Sequence, residues 1–537
     1  MPRRTTLLLF ALLTGTLSPG GFARQRSDVA PPDSVPAHSF ASLRLDRGTI
    51  DVEQYSLENG ALTRVTKSYE ADFGTLAVPE RRELQGSRRI ELPIVRIRAT
   101  GDHPGAPIFW FEGGPGQSNM DTFDFDYFIE DHDHVMIGYR GVDGSVSLDC
   151  PEVTDRLRQV DDVLADETLR QVGDAYAACQ ARLRQAGVDI DGYTTVDVVA
   201  DMESARRALG YERINILAES FGTRLAYLYG IMYPERIHRT IMIGANPPGG
   251  MVWDPKQTDA ILQHYSTLWA NDPATRARTE DLASVLRTVN REMPRRWLFL
   301  PIHPGNVKAS AFAMLFDRAS AARVFDTYVA AADGDPSGLW LISFVAPYIF
   351  PEIVNWGDNA SKAVSADYTP EVNDADTFMP EDAVMGAPLG RFLWGPGDRW
   401  PIEPIPEAYR RMQPSDVETL ILSGSLDLST PPENAALDLL PYLPNGRQVV
   451  FAEMGHIGDL WTLQPETTRR LLTSFLETGV PDMSDYRYEP MDFSVRWGFP
   501  LLAKLILAGS LLVLVLMGGL TWFTVRFVRR RRRRPAG

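Results

Sequence analysis

Ile214-Asn215-Ile216-Leu217-Ala218-Glu219-Ser220-Phe221-Gly222-Thr223-Arg224-Leu225 is the stretch on which the reading of this chain turns. The apolar run Ile214 to Ala218 predicts a short buried strand, and Leu225, Leu228, Tyr229 and Met232 then recur at helical spacing until Pro234. Between them lies Ser220, with the small residues Ala218 and Gly222 two positions to either side. A strand turning sharply into a helix needs small residues there, and such a turn lifts the serine hydroxyl clear of its surroundings. Alanine stands where the first glycine is usual, which is tolerable in size but a weaker signature. A Ser-x-Gly alone means little, so the reading depends on partners elsewhere.

Those partners sit at matching places. Thr194 and Asp197 predict a capped helix carrying Val198, Met202, Ala205 and Leu209 on one face and stopped by Gly210. Arg239 to Ala245 returns to strand, and strands alternating with helices predict a mainly parallel sheet. Ile108 to Glu112 leads into Gly113-Gly114-Pro115-Gly116-Gln117-Ser118, and Val135 to Tyr139 leads into Arg140-Gly141. Asp427 follows the apolar run Leu420-Ile421-Leu422, and His456 follows Val449-Val450-Phe451. Ser220, Asp427 and His456 therefore all fall just past carboxyl ends of predicted strands, the edge where open α/β sheets gather their sites. Singly, Asp427 reads as a turn residue and His456 as a loop histidine. Together they supply the nucleophile, orienting carboxylate and base of a serine hydrolase, in the Ser, Asp, His order of the α/β-hydrolase fold. Gly113 and Gly114 let backbone approach a substrate closely, and Pro115 stiffens the loop. The N–H groups of Gly114 and Phe221 are the expected oxyanion hole, where each donor is commonly worth about 3 kcal/mol in the transition state.

Several stretches extend the pattern: Gly74-Thr75-Leu76-Ala77-Val78-Pro79-Glu80, Ile90-Glu91-Leu92-Pro93-Ile94-Val95-Arg96, Gly113-Gly114-Pro115-Gly116, Tyr139-Arg140-Gly141-Val142-Asp143-Gly144-Ser145 and Glu219-Ser220-Phe221-Gly222. With Asp427 and His456 they resemble the prolyl aminopeptidase/tripeptidyl aminopeptidase family of serine peptidases, over roughly residues 70 to 480. The resemblance implies removal of short amino-terminal units from peptides, a helical cap over the site and no cofactor. Two departures bear on the substrate: Glu112 stands where prolyl aminopeptidases commonly have histidine, and Gly138-Tyr139-Arg140-Gly141 replaces Asp-Gln-Arg-Gly. Binding a free amino terminus calls for an anion. Glu112 and Glu219 are the local candidates, and the acidic run Asp121, Asp124, Asp126 reads more readily as a solvated face. A carboxylesterase on the same scaffold and a catalytically silent binding protein are the competing readings. The partners expected are peptides with a free amino terminus; oligomeric state is left open.

The chain of 537 residues, 44% hydrophobic and 23% charged, has room for a large core and a second substantial unit. The predicted organisation is a signal peptide over residues 1–23, an N-terminal extension 24–70, a first core part 71–247, a mostly helical inserted cap 248–413, a second core part 414–480, a linker 481–504, a transmembrane helix 505–525 and a basic tail 526–537. Arg3 and Arg4, the apolar run Leu7 to Leu17 and Ala23 carry the signal-peptide pattern. Leu505 to Val525 has no formal charge and as a helix would span ~32 Å, enough to cross a bilayer. Arg526 and Arg529 to Arg534 then read as a positive-inside flank, predicting an exported body on a single C-terminal anchor. A cleaved C-terminal sorting signal has a similar look, but no sorting motif precedes the span. The chain carries a net charge of −16, and its ends hold arginines without acids, so the body between is more acidic still. Such a body repels nucleic acid. Cys150 and Cys179, the two cysteines, are a disulfide candidate in an exported protein, with reduced buried thiols as the alternative. Their spacing fits no zinc motif, and Asp131-His132-Asp133-His134 runs into a strand, so no metal is assigned.

Overall fold

The computed structural model describes residues 43–532 apart from 59–60, 121–127 and 374. The predicted signal peptide, Asp121, Asp124, Asp126, and Arg533 and Arg534 lie outside the described residues. Among those described, nine strands form one sheet: β1 (Leu45–Glu58), β2 (Ala61–Pro79), β3 (Arg89–Ile97), β4 (Ile108–Phe111), β5 (His134–Ile137), β6 (Ile214–Glu219), β7 (Ile237–Ile243), β10 (Thr419–Gly424) and β11 (Gly446–Phe451). Two-residue strands β8 (Arg296–Trp297) and β9 (Leu300–Pro301) make a separate hairpin. The large sheet runs β1-β2-β3-β5-β4-β6-β7-β10-β11. From β5 to β11 every neighbour is parallel, whereas β1, β2 and β3 enter antiparallel. The central strands β4, β5, β6 and β10 are buried at every position, as expected where helices cover both faces. β2 is continuous through residues 70 and 71, so the extension drawn at 24–70 flows without a break into the core.

The helix Thr195–Leu209 is capped as its sequence predicts: Thr194 Oγ1 accepts from Asp197 N at 3.3 Å, and Gly210 closes it in the left-handed conformation at φ 81°. Buried Arg140 ties that helix to the sheet. Its guanidinium donates to both carboxylate oxygens of Asp201 (2.6 and 2.7 Å) and to the carbonyl of Glu80 (2.7 Å). The Tyr139-Arg140-Gly141 signature is therefore a structural clamp beside the site. Cys150 and Cys179 form a disulfide joining helix Asp166–Gln185 to the start of helix Pro151–Leu157. The cluster Asp131 to His134 has structural engagements: His132 Nδ1 meets Ala106 O at 2.7 Å, Asp133 accepts from Ala99 N at 2.8 Å, and burial pushes His134 down to about 3.

Between β7 and β10 the chain is mainly helical, including Pro255–Asn271, Leu282–Arg291, Arg318–Ala332, Ser337–Ile349 and Trp356–Asp367. Its firmest tie to the core is a buried pair: Arg224, one turn into the helix after Ser220, makes a two-pronged contact with Asp367 at 3.0 and 2.9 Å. Asp367 also accepts from the backbone N–H groups of Gly249 and Met251.

The stretch expected as a linker is packed rather than free. Arg318 donates to Glu489 O, Met491 N donates to Glu453 at 2.6 Å, and Phe493 meets Trp269 edge-on at 5.1 Å. The last helix, Phe499–Arg532, starts ahead of the predicted 505, and its residues Phe499 and Ala503 are buried. Apolar side chains next to Pro490 and Pro500 make this strap adhere where a polar linker would not.

Removing one partner of a buried ion pair leaves the other charge uncompensated. Asp367→Ala is expected to lose about 3–5 kcal/mol in urea denaturation, and Arg224→Met combined with Asp367→Leu distinctly less.

Candidate active site

Ser220 sits at the junction of β6 and helix Phe221–Met232 with φ 47° and ψ −121°, a left-handed backbone rarely adopted by a non-glycine residue. The turn is held because Ser220 N donates to Ile243 O at 2.8 Å while Thr223 N donates back to Ser220 O at 3.0 Å. Position 222 accepts only glycine, since a Cβ there would overlap the Phe111 carbonyl at the end of β4.

Asp427 lies past the end of β10 and is buried. Its Oδ1 accepts from Ser429 N (2.9 Å) and Thr430 N (2.8 Å); its Oδ2 accepts from Thr430 Oγ1 (2.6 Å) and lies 2.8 Å from His456 Nδ1. A carboxylate with these donors fixes the proton on Nδ1 and leaves Nε2 as the basic nitrogen. The imidazole and the serine flank the same short segment. Ser220 N holds Ile243 O, and the ring lies so close to Gly244 that a Cβ there would stand 2.8 Å from its Cε1. The Ser220 hydroxyl makes no hydrogen bond among the described residues.

The loop after β4 is braced from several sides. Asn119 donates to Trp110 O (3.0 Å) and Ile137 O (2.8 Å) and accepts from Glu112 N (2.7 Å). Asp143 accepts from Asn119 N at 3.0 Å and Tyr139 N at 2.8 Å. On the outer side, Asn355 N donates to Gly116 O (2.9 Å) and Asn359 Nδ2 to Pro115 O (3.2 Å). The Gly114–Pro115 peptide is cis, and Gly114 has φ 117°. The N–H groups of Gly114 and Phe221 have no protein acceptor among the described residues; Phe221 is the first residue of its helix, where donors are left over.

A cavity of about 80 Å³ opens beside Ser220 and Gly114. Met251, Trp253, Trp394 and Trp400 supply its apolar walls, and Asn246, Asn359 and Ser429 its polar groups. Three indole N–H groups are engaged with protein acceptors (Trp253 with Ser429 O, Trp394 with Met251 O, Trp400 with Ser361 Oγ), which fixes the rings. Among the described residues, no acidic side chain lines it.

Glu112 and Glu219, the sequence candidates for an amine, are not among the lining residues. Glu219 is buried, accepts from Trp461 Nε1 at 2.5 Å, and is held well above the usual carboxylate range by burial and by the neighbouring Glu112. Glu112 accepts from Gly113 N at 2.8 Å. Successive residues at a strand end point to opposite faces, so adjacency to Ser220 in sequence does not bring Glu219 to the same side.

Two residues escape the sequence patterns. Thr430 bridges acid and base, its Oγ1 lying 3.1 Å from His456 Nδ1 as well as 2.6 Å from Asp427. The Asp-x-Ser-Thr turn that holds it is visible in sequence. Asp317 comes from the cap: His456 N donates to the adjacent Phe316 O at 2.6 Å, and the Asp317 backbone presses on Gly455. Burial pushes Asp317 up to about 6, with Asp427 adding and His456 opposing. Nothing in sequence marks it. Burial works against a charged His456, yet Asp427, Asp317 and Asp459 hold its pKa above the usual 6.5.

With this geometry in view, the alpha/beta hydrolase fold family matches residues 106–461, and the chain belongs to that family. Within it, the chain is similar to the tripeptidyl aminopeptidase of Streptomyces lividans, 25% identical over 468 residues, 78% of this chain and 83% of the relative. It is also similar to serine protease Hip1 of Mycobacterium tuberculosis, 25% identical over 417 residues, 68% of this chain and 78% of the relative. A proline iminopeptidase structure from Mycobacterium smegmatis aligns at 15% identity, 75% of this chain and 97% of that one, with a TM-score of 0.34.

A base works only when neutral, so kcat/KM is expected to rise with pH through a midpoint above 6.5. Asp317→Asn removes one of the carboxylates that favour the charged ring and is expected to lower that midpoint, read from a full pH–rate profile. Thr430→Val is expected to lower kcat by roughly tenfold with little change in KM, because it loosens the Asp427–His456 pair without touching the cavity.

Proposed function

We propose that this chain is an exported, membrane-anchored serine aminopeptidase that releases short amino-terminal units from peptides. What carries the reading is the convergence of Ser220, His456 and Asp427 on neighbouring strand ends, with the Asp427–His456 contact at 2.8 Å and two unengaged N–H groups beside the serine. The relatives named tripeptidyl aminopeptidase and serine protease support a peptide as substrate.

In this mechanism Ser220 Oγ attacks the peptide carbonyl while His456 Nε2 takes its proton. Asp427 keeps the ring in the required tautomer and stabilises its charged form. Gly114 N and Phe221 N bind the oxyanion. His456 returns the proton to the leaving amine, and water then resolves the acyl-enzyme by the same route. The serine–imidazole hydrogen bond closes when substrate arrives, as is common for catalytic contacts in unliganded enzymes. For the free amino terminus, Asp317 beside His456 is a third candidate, absent from the cavity lining like Glu112 and Glu219. It lies near enough to His456 to act on it electrostatically, and its carboxylate has no hydrogen-bond partner among the described residues.

Export and anchoring are supported by the Cys150–Cys179 disulfide and by Phe499–Phe527, which is long and apolar enough to cross a membrane. The second reading is a carboxylesterase, favoured by a cavity that no acidic side chain among the described residues lines.

A panel of proline, alanine and tripeptide arylamides, each with a free or a blocked amino terminus, separates the two. An aminopeptidase is expected to lose at least about a hundredfold in kcat/KM on blocking, as sites built around a polar group reject analogues lacking it. Equal turnover of blocked and free substrates, with faster hydrolysis of simple aryl esters, would overturn the aminopeptidase reading in favour of the esterase.

A further inference from the structure

The β8–β9 hairpin projects Leu298 and Phe299 from its tip, 61% and 76% exposed, with Leu298 in the left-handed region at φ 54°. Behind the tip runs a strip of aromatic rings. Trp297 packs on Trp340 at 5.3 Å, Trp340 stacks on Phe344 at 5.3 Å, and Phe344 meets Tyr348 at 5.8 Å. Phe344 and Tyr348, on the outer face of helix Ser337–Ile349, are about half exposed. His303 N, just after the hairpin, donates to Ser343 Oγ at 2.8 Å, so hairpin and helix form one surface. Contiguous exposed apolar side chains of this kind mark a contact site rather than ordinary surface.

The apolar helix Phe499–Phe527 identifies what covers them. It leaves the body from the same cap helix: Ser337 Oγ donates to Pro500 O at 3.3 Å, Lys504 Nζ pairs with Asp335 at 2.6 Å, and a Cβ on Gly338 would touch the Pro500 ring. Its 29 residues extend ~43 Å, about 13 Å more than a hydrocarbon core needs. Its first two turns, where Phe499 and Ala503 are buried and Leu507 is half-buried against the body, take up that surplus. The bilayer surface then lies close to Leu507, alongside helix Ser337–Ile349 and its hairpin. Arg295 and Arg296 precede the hairpin tip, are exposed and enter no ion pair among the described residues. On a chain of net charge −16, cations next to Trp and Phe are suited to lipid phosphates at headgroup depth.

We propose that the β8–β9 tip and the Phe344/Tyr348 face form a second membrane contact, holding the cap against the bilayer interface beside the anchor. The partner is the headgroup region of a phospholipid bilayer. This inference rests on the membrane-anchored reading of Phe499–Phe527, and the test separates the two.

Full-length protein carrying either Phe299→Cys or Val513→Cys, labelled with an environment-sensitive fluorophore, is reconstituted into nanodiscs of zwitterionic and anionic phospholipid. Quenching is read with lipids bearing doxyl groups near the headgroup or deep in the chains. Retained arylamide turnover checks the fold of each variant. The label at 299 is expected to be blue-shifted and quenched roughly twofold or more by the shallow doxyl, and the label at 513 by the deep one. A label at 299 that behaves as in water while 513 is quenched would overturn the second contact and leave the anchor standing. Water-like behaviour at both positions would overturn the anchor and this inference with it.

Discussion

A Cβ at position 222 would stand 2.1 Å from the carbonyl oxygen of Phe111 and 2.8 Å from that of Glu112. The first turn of the helix after Ser220 is thus pressed directly onto the end of β4, closer than any side chain allows. Much follows from that contact. It forces the abrupt reversal that gives Ser220 its positive φ, and it sets the Gly113-Gly114 loop against the serine, where a Cβ on Gly113 would come within 3.2 Å of Ser220 Cβ. The Ser220 turn and the Gly113-Gly114 loop are one packed unit, and the strain of the first is carried by the bracing of the second through Asn119 and Asp143.

The cap is built into the same unit. It reaches the loop after β4 through Asn355 and Asn359, the helix after Ser220 through Asp367, the Asp427 loop through Trp253, and His456 through the Phe316 carbonyl. Each site loop therefore has a partner in the segment that also walls the cavity. A substitution in the cap can alter kcat as readily as KM, because the elements that shape the substrate space also position the reacting groups. The strap from residue 481 to 500 extends this continuity to the last helix, since Arg318 and Glu453 hold it on either side of the cap–core seam.

The sequence made the sheet legible wherever burial on both faces imposes unbroken apolar runs, as in β4, β6 and β10, and it located Ser220, Asp427 and His456 because their positions follow from strand ends. Helix 195–209 was readable to the residue through Thr194 and Gly210, whose chemistry is local. The antiparallel start of the sheet was visible as strand but not as direction, since alternation in β3 carries no information about its neighbours. Glu219 neighbours Ser220 along the chain yet is absent from the cavity lining, because adjacency in sequence says nothing of which face a side chain takes. Asp317 and the packed strap were invisible for a common reason: the contacts that hold them join residues from 38 to more than a hundred positions apart, and no short pattern encodes such contacts.

The central claim is that Ser220 is an activated nucleophile served by His456. Treating the full-length protein with a fluorophosphonate and mapping the adduct by peptide mass spectrometry tests it most directly. One phosphonyl group on Ser220, formed in step with loss of turnover and abolished in His456→Ala, is the predicted result. An unlabelled Ser220 in folded protein that still turns over substrate, or labelling that is indifferent to the imidazole, would contradict it.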